Sequence, residues 1–515
     1  MKLSPAGRWA FLLFCLLLLI LIVLFFRCCH CKGCRQPRVK GYPSQVIVWK
    51  NPDSSQTSFA NWLGQFKDTL RTFGDITDSS FCPNCDSDLL LLSGPGPELF
   101  IQQAGSGGSG GSKPGGPGGG GGPAWYCANL NITTPDLPPA VYSFSDSLRP
   151  YNPIPTHILS SKKPVVVAVF DTGLDTTAIS RSFVYGVPGT CLVDPASNKG
   201  WNFVAGNANT YDDHPGQHGS IVTRFIIQQV QQYQGLTTPT IGNPAVAAPA
   251  GTVSILPVKI FDRTGKGSLY NMLCGLAYAA NSGVQIINAS FGFYEYADTP
   301  TNKVAAVLLG KYMEHYLVKS NMLMVAAAGN ANTTADSLYR AEIGVPQANP
   351  RNLDSNFFYP ACFTTDDLLA NNLVVVTTVN NTSRLVSPLQ NFSNTVVDIG
   401  ISCDAIIDSN QTSYYVFTDP RQTISSTTTI TNNGQTSFLE NTVTGTSFAT
   451  PIVTGKITAF YSQLVGGAKL NKGTLLSGMQ TLFPYGLNGG SPLLTPNPAF
   501  APAIHKSLIG SKYEQ

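Results

Sequence analysis

Charge is what this chain has least of. Only 12% of its 515 residues are Asp, Glu, Lys or Arg, and the formal net charge is +3. Nucleic-acid binding needs a strongly basic patch or stripe, and so low and balanced a charge gives no strong footprint of that kind. A second scarcity concerns one tripeptide. Asp171-Thr172-Gly173 occurs once, with no other Asp-Thr-Gly and no Asp-Ser-Gly. The carboxylate dyad of a single-chain aspartic protease needs two such loops, and the dimeric version with one loop per chain belongs to small all-β folds, so this chemistry is set aside.

A single long apolar run is present. Residues 9–26, "WAFLLFCLLLLILIVLFF", carry no charge over 18 positions, enough for about 27 Å of helix. The run exceeds the ~7–15 apolar residues of a secretory leader, and no small-x-small cleavage site follows, so a retained single-pass anchor is preferred over a cleavable signal. Lys2 and Arg8 precede the run, while Arg27, Lys32, Arg35, Arg38 and Lys40 follow it. Positive charge tends to stay cytoplasmic, which argues for the remainder inside. The Asn/Thr-rich, charge-poor remainder argues for the outside, and an extracytoplasmic large domain is the expectation.

Cysteine spacing leaves several readings open. "RCCHCKGC" (27–34) suits a metal site, acylated juxtamembrane thiols, or plain thiols and local disulfides. Cys82 and Cys85 in "CPNC" can pair with Cys31 and Cys34 as two C-x₂-C knuckles. Cys127, Cys191, Cys274, Cys362 and Cys403 are odd in number and scattered, so no disulfide framework can be inferred.

Five segments follow from composition and periodicity. Residues 1–40 hold the anchor and the Cys-rich stretch. Residues 41–104 read as a small α/β unit, with extended "SQVIVW", amphipathic "SFANWLGQFKDTLRTF" and a second strand at "DLLLL". Residues 105–123 are a Gly-rich linker with a root-mean-square reach of roughly 25 Å. Residues 124–485 form the large domain and 486–515 a tail. In the large domain, apolar strands at "KKPVVVAVFDTG", "VSILPVKIF", "VQIINASFG", "NMLMVAAAGN" and "NLVVVTTVN" alternate with helical stretches at 268–283 and 301–320. Such alternation predicts a mostly parallel sheet with chemistry at its carboxyl edge, where Asp171 lies.

Two further motifs complete the Asp-Thr-Gly loop. "QHGSIVTRF" (217–225) offers His218, and "TGTSFATPIVTG" (444–455) offers Ser447 near the start of a helix. With these three, in the order Asp, His, Ser, the chain resembles the subtilisin-like serine proteases, the subtilases, over about residues 160–465. The order is that of subtilisin itself. The resemblance implies a three-layer α/β/α fold and a serine endopeptidase. Ser447 would be the nucleophile, His218 the general base and Asp171 the group that orients it. Asn330 in "VAAAGN" would donate to the oxyanion, with the Ser447 N–H beside it. His214, four residues before His218, is read as a loop residue with a possible place at the cleft edge.

Substrate would pair with Ser290, Phe291 and Gly292, and the pocket for the residue before the scissile bond would be lined by these with Ala327, Ala328 and Gly329. None is charged, so a medium or large apolar residue is expected there. Phe293 stands where the family commonly has a second glycine, and Thr223 and Arg224 stand where it has small residues, so the cleft and one helix contact should differ. Many subtilases hold structural calcium, but no carboxylate cluster here names ligands. The resemblance also implies that 41–104 is a self-inhibiting prodomain, with an accessory module as the alternative. Polypeptides are the expected substrates, and a monomer the expected state. Two other functions stay open: a catalytically idle binding protein, or a peptide ligase or amidase on the same scaffold.

Overall fold

The computed structural model describes residues 41–82, 85–97, 100, 123–134, 164–177, 179, 181–186, 191–192, 199–236, 253–295, 299–346, 348–380, 386–393, 395–407, 413–420, 442–462 and 470–476. The predicted anchor, the Gly-rich stretch 105–122 and the tail 486–515 lie outside them. Among the described residues no helix is long and apolar enough to cross a membrane.

The strands are β1 Gly41–Lys50, β2 Asp78–Cys82, β3 Asp86–Ser93, β4 Ala124–Thr133, β5 Val165–Asp171, β6 Trp201–Asn202, β7 Val253–Lys259, β8 Lys266–Ser268, β9 Ile286–Ala289, β10 Phe293–Tyr294, β11 Leu323–Ala327, β12 Phe358–Tyr359, β13 Leu373–Asn380, β14 Ile399–Ile407, β15 Ser413–Thr418 and β16 Thr442–Thr444. The helices used below are α1 Gln56–Phe73, α2 His218–Leu236, α3 Leu269–Asn281, α4 Thr299–Met313, α5 Thr333–Ile343 and α6 Thr446–Tyr461.

A nine-stranded sheet in the order β16-β15-β14-β13-β11-β9-β5-β7-β6 forms the large domain. Its seven strands from β14 to β6 are parallel, and β15 and β16 extend it antiparallel. All seven residues of β5 are buried, as expected of a strand covered on both faces. Val165, Val167 and Val169 enter one core with Ile221 and Phe225 of α2 and Val453 of α6, whereas Val166, Ala168 and Phe170 enter the other with Leu273 of α3 and Leu309 of α4. The period of two along one strand therefore builds a helix–sheet–helix sandwich.

The N-terminal unit is an antiparallel sheet, β2-β3-β1-β4-β8. Ser55 caps α1, its Oγ accepting from the Ser58 N–H at 3.1 Å. Phe59, Trp62, Phe66 and Leu70 of that helix cover Val46, Val48, Leu90, Leu92 and Tyr126. The opposite face, with Ile47, Trp49, Leu89 and Leu91, joins the core of the large domain.

Two sequence expectations are corrected here. The small unit does not end at 104: β4, beyond the Gly-rich stretch, pairs with β1 from Lys50↔Ala124 to Val46↔Ala128, so residues 124–133 complete its sheet rather than open the large domain. It also holds a strand, β2, that "DSSFC" did not announce, because its polar, largely exposed residues lack apolar alternation.

Candidate active site

Each expected catalytic residue stands at the end of a regular element. Asp171 closes β5, His218 opens α2, Asn330 lies three residues beyond β11, and Ser447 is the second residue of α6. Parallel strands all aim their carboxyl ends at one edge, so residues distant in sequence converge there.

His218 Nδ1 lies 2.7 Å from Asp171 Oδ1, and both side chains are buried. The Thr172 N–H also donates to Asp171 Oδ1, at 2.7 Å, and so helps to fix the carboxylate. An Nδ1–H donated to that carboxylate leaves Nε2 as the basic nitrogen. The imidazole packs against the Phe448 ring, centroids 5.0 Å apart, which puts it beside the residue following the serine. Ser447 Oγ is buried and has no hydrogen-bond partner among the described residues, so its hydroxyl is not bonded to the imidazole in this structure.

The serine's backbone is fixed from β9. Ser290 Oγ donates to the Ser447 carbonyl at 2.8 Å, Asn288 Nδ2 donates to Ser290 Oγ at 2.9 Å, and the Thr454 hydroxyl donates to Asn288 Oδ1 at 2.9 Å. Asn330 is fixed from α6, since its Oδ1 accepts from the Thr446 N–H at 3.0 Å and the Thr446 hydroxyl at 3.3 Å. Only the amide oxygen can accept, so Nδ2 is turned away from Thr446 as a donor. Ser290, Phe291, Gly292, Ala327 and Ala328 are all buried along the same edge, with Gly329 at φ +95°.

Several residues of this site carry no motif. Asp212 is buried and clamps the Asp171 loop to the His218 helix: its Oδ1 accepts from the Thr172 hydroxyl at 2.9 Å, and its Oδ2 from the Ser220 N–H at 2.8 Å and the Ser220 hydroxyl at 2.7 Å. Burial raises its carboxyl above the ordinary range, against those hydrogen bonds, which lower it. Buried Lys259 donates to the Thr172 carbonyl and, at 2.8 Å, to Asp213. Behind Asn330, the Tyr294 hydroxyl donates to its carbonyl, and Arg351 donates to Tyr294 at 2.9 Å and to Asn391 Oδ1 at 2.8 Å while pairing with Asp336. The only signal in sequence is "DD" shortly before the histidine, and an acidic pair in a loop is more often a solvated turn.

His214 sits half-buried at the edge of the site, its Nε2 near Gly265. Burial lowers its pKa to about 4, with the neighbouring His218 adding to the effect. Its Nδ1 accepts from the Gly216 N–H at 3.2 Å, which a protonated ring could not do.

The expected departures resolve into packing. Phe293 pairs with Tyr359 between β10 and β12, and the two rings lie 5.8 Å apart. Thr223 and Arg224 are buried in α2. Close approach of α2 to α6 is supplied from the other side, at Gly455, where a Cβ would lie 2.6 Å from both the Ile226 carbonyl and Gln229 Cβ. The zinc-knuckle reading of Cys85 is overturned, because that sulfur is bonded to Cys191, and Cys82 is a buried thiol. Cys31 and Cys34 lie outside the described residues. Among the described residues no group of three or more His, Cys, Asp or Glu could hold a metal ion.

Comparison with known proteins agrees in kind with this geometry. The model of the subtilase family, Peptidase S8, matches residues 162–467. The chain is 33% identical over 141 residues to the cell wall-associated protease of Bacillus subtilis, covering 27% of this chain and 13% of that protein. It is 27% identical over 254 residues to a thermophilic serine proteinase of Bacillus sp. strain AK1, covering 48% of this chain and 47% of that protein. It thus spans less than half the length of these curated relatives. The crystal structure of the epidermin leader peptide processing serine protease of Staphylococcus aureus aligns at 16% identity and a TM-score of 0.44, over 91% of this chain and 98% of that one.

Proposed function

The chain belongs to the subtilase family, and from that premise we propose that it is a serine endopeptidase working through Asp171, His218 and Ser447. The observation that carries this reading is the 2.7 Å contact between His218 Nδ1 and Asp171 Oδ1, with the imidazole packed on Phe448, the residue that follows Ser447. His218 Nε2 takes the Ser447 proton as Oγ attacks the scissile carbonyl, and Asp171 stabilises the imidazolium. The tetrahedral oxyanion is met by Asn330 Nδ2 and the Ser447 N–H, a helix N-terminal donor aligned with the α6 dipole. His218 then returns the proton to the leaving amine, and water repeats the sequence on the acyl-enzyme. Ser447→Ala should abolish both hydrolysis of a casein-like substrate and labelling by a fluorophosphonate; full labelling of that variant would overturn the assignment.

We also propose that the N-terminal sheet is a self-inhibiting prodomain whose last strand occupies the substrate edge. The Gly292 N–H donates to the Thr133 carbonyl at 3.4 Å, and the Thr134 N–H to the Gly265 carbonyl at 3.1 Å. These are the main-chain groups an extended substrate would use at that edge. The complete burial of Ser447 supports a form from which substrate is excluded. Self-cleavage in this reading falls after Thr134 and before about residue 150. A mass comparison of the wild type with Ser447→Ala tests it, the new N-terminus being absent from the variant. Finally, residues 9–26 are proposed to tether the protein to a membrane with the peptidase domain extracytoplasmic; deletion of residues 1–40 should move it to the soluble fraction.

A further inference from the structure

We propose that Phe358 fills the pocket for the side chain preceding the scissile bond, so that the enzyme cuts after small residues. This rests on the endopeptidase reading and concerns its specificity. A substrate strand lying on Ser290–Gly292, with its carbonyl between Ser447 and Asn330, must send that side chain between Ser290–Gly292 and Ala327–Gly329. Both segments end in a glycine, which by itself would leave a wide slot.

The slot is taken by one ring. A Cβ added to Gly292 would lie 2.5 Å from Phe358 Cζ and 2.6 Å from its Cε1, and a Cβ added to Gly329 would lie 2.9 Å from Phe358 Cδ1 and 2.9 Å from Cε1. The same ring edge therefore borders both walls, and Phe358 is 3% exposed. The phenylalanine shares the room at these glycines with the Tyr359 carbonyl oxygen, 2.3 Å from a Cβ on Gly292, and with Asn391 Nδ2, 2.7 Å from a Cβ on Gly329, whose φ of +95° also favours glycine.

The ring is held in place on several sides. Phe358 pairs with Tyr294 between β12 and β10, their rings 4.8 Å apart, and its N–H donates to Cys362 Sγ at 3.2 Å. Tyr294 is itself held by Arg351 and Asn391. Swinging the ring out would break contacts with this buried network, so Phe358 acts as a fixed floor rather than a gate. A glycine, alanine or serine side chain fits above such a floor, whereas a large apolar one collides with it. This reverses the preference that the uncharged lining alone suggests.

The pocket beside the scissile carbonyl decides which residue can precede the cut. The test uses the full-length protein, with active sites counted by fluorophosphonate titration, and two peptides that differ only in Ala or Phe before the scissile bond. The expected kcat/KM is higher for Ala by about 100-fold, the scale of discrimination a sterically filled pocket gives. Phe358→Ala and Phe358→Gly should raise kcat/KM for the Phe peptide at least about tenfold per titrated site, with Phe358→Leu between the wild type and these two. A wild type that cuts after Phe as readily as after Ala overturns the proposal, even if a variant does not fold. Variants that titrate fully but keep the wild-type ratio overturn it too. If the wild type hydrolyses neither peptide through Ser447, the endopeptidase reading itself fails, and this inference with it.

Discussion

Cys85, in the link between β2 and β3, is disulfide-bonded to Cys191 of the large domain across 106 residues of sequence, with Cα atoms 4.7 Å apart. The N-terminal sheet is thus joined to the peptidase domain twice, by the chain and by sulfur. A cut after Thr134 breaks only the first link. Cleaved protein should run as one species of full mass without reductant and as two fragments with dithiothreitol. Two fragments in the absence of reductant would contradict the bond. In this reading, cleavage alone does not release the peptidase domain from the N-terminal sheet.

The Asn330 amide is oriented by Thr446, and its Oδ1 already accepts two hydrogen bonds. Asn330→Ala should lower kcat by about 10²–10³ with little change in KM, a magnitude taken over from subtilisin itself. Steady-state kinetics on a short peptide measure it. A rise in KM of the same size, with kcat unchanged, would mean that Asn330 binds substrate rather than the transition state.

Asp212 accepts from Thr172 and twice from Ser220, and so ties the loop bearing Asp171 to the helix bearing His218. Asp212→Ala leaves three buried donors without this acceptor, at about 1–3 kcal/mol for each that finds no other. In a Ser447→Ala background the denaturant midpoint should drop. In the active enzyme kcat should fall more than KM rises, because His218 loses its fixed distance to Asp171. An unchanged midpoint would show that the clamp contributes nothing.

Acid should weaken the fold through His214. Its folded pKa is lowered to about 4 from an ordinary 6.5, so between these values the unfolded chain binds a proton that the folded chain refuses. The stabilisation is present above about pH 6.5 and is lost as pH falls toward 4. In the Ser447→Ala background, the unfolding midpoint should decline over that window, and His214→Asn should flatten the decline. An identical pH profile in the variant would assign acid sensitivity elsewhere.

Some of this molecule was written in local sequence. The apolar runs of β5, β7, β11 and β13 mark a buried parallel sheet, because a strand covered on both faces has no polar positions to alternate. The motifs around Asp171, His218 and Ser447 identify the family, since the turns and helix starts that carry them are specified within a few residues. Other features depended on which surfaces meet. β4 joins the N-terminal sheet because its register with β1 buries both, although the long glycine-rich segment between β3 and β4 hides their relation. Cys85 finds Cys191 across 106 residues, and Asp212 finds Thr172 across 40, only after the domain has closed. Phe358 reads as one more apolar residue before Tyr359-Pro360. Only the fold brings its ring against Gly292 and Gly329, because β12 is pinned beside β10, and a pocket's depth belongs to the space between segments rather than to any one of them.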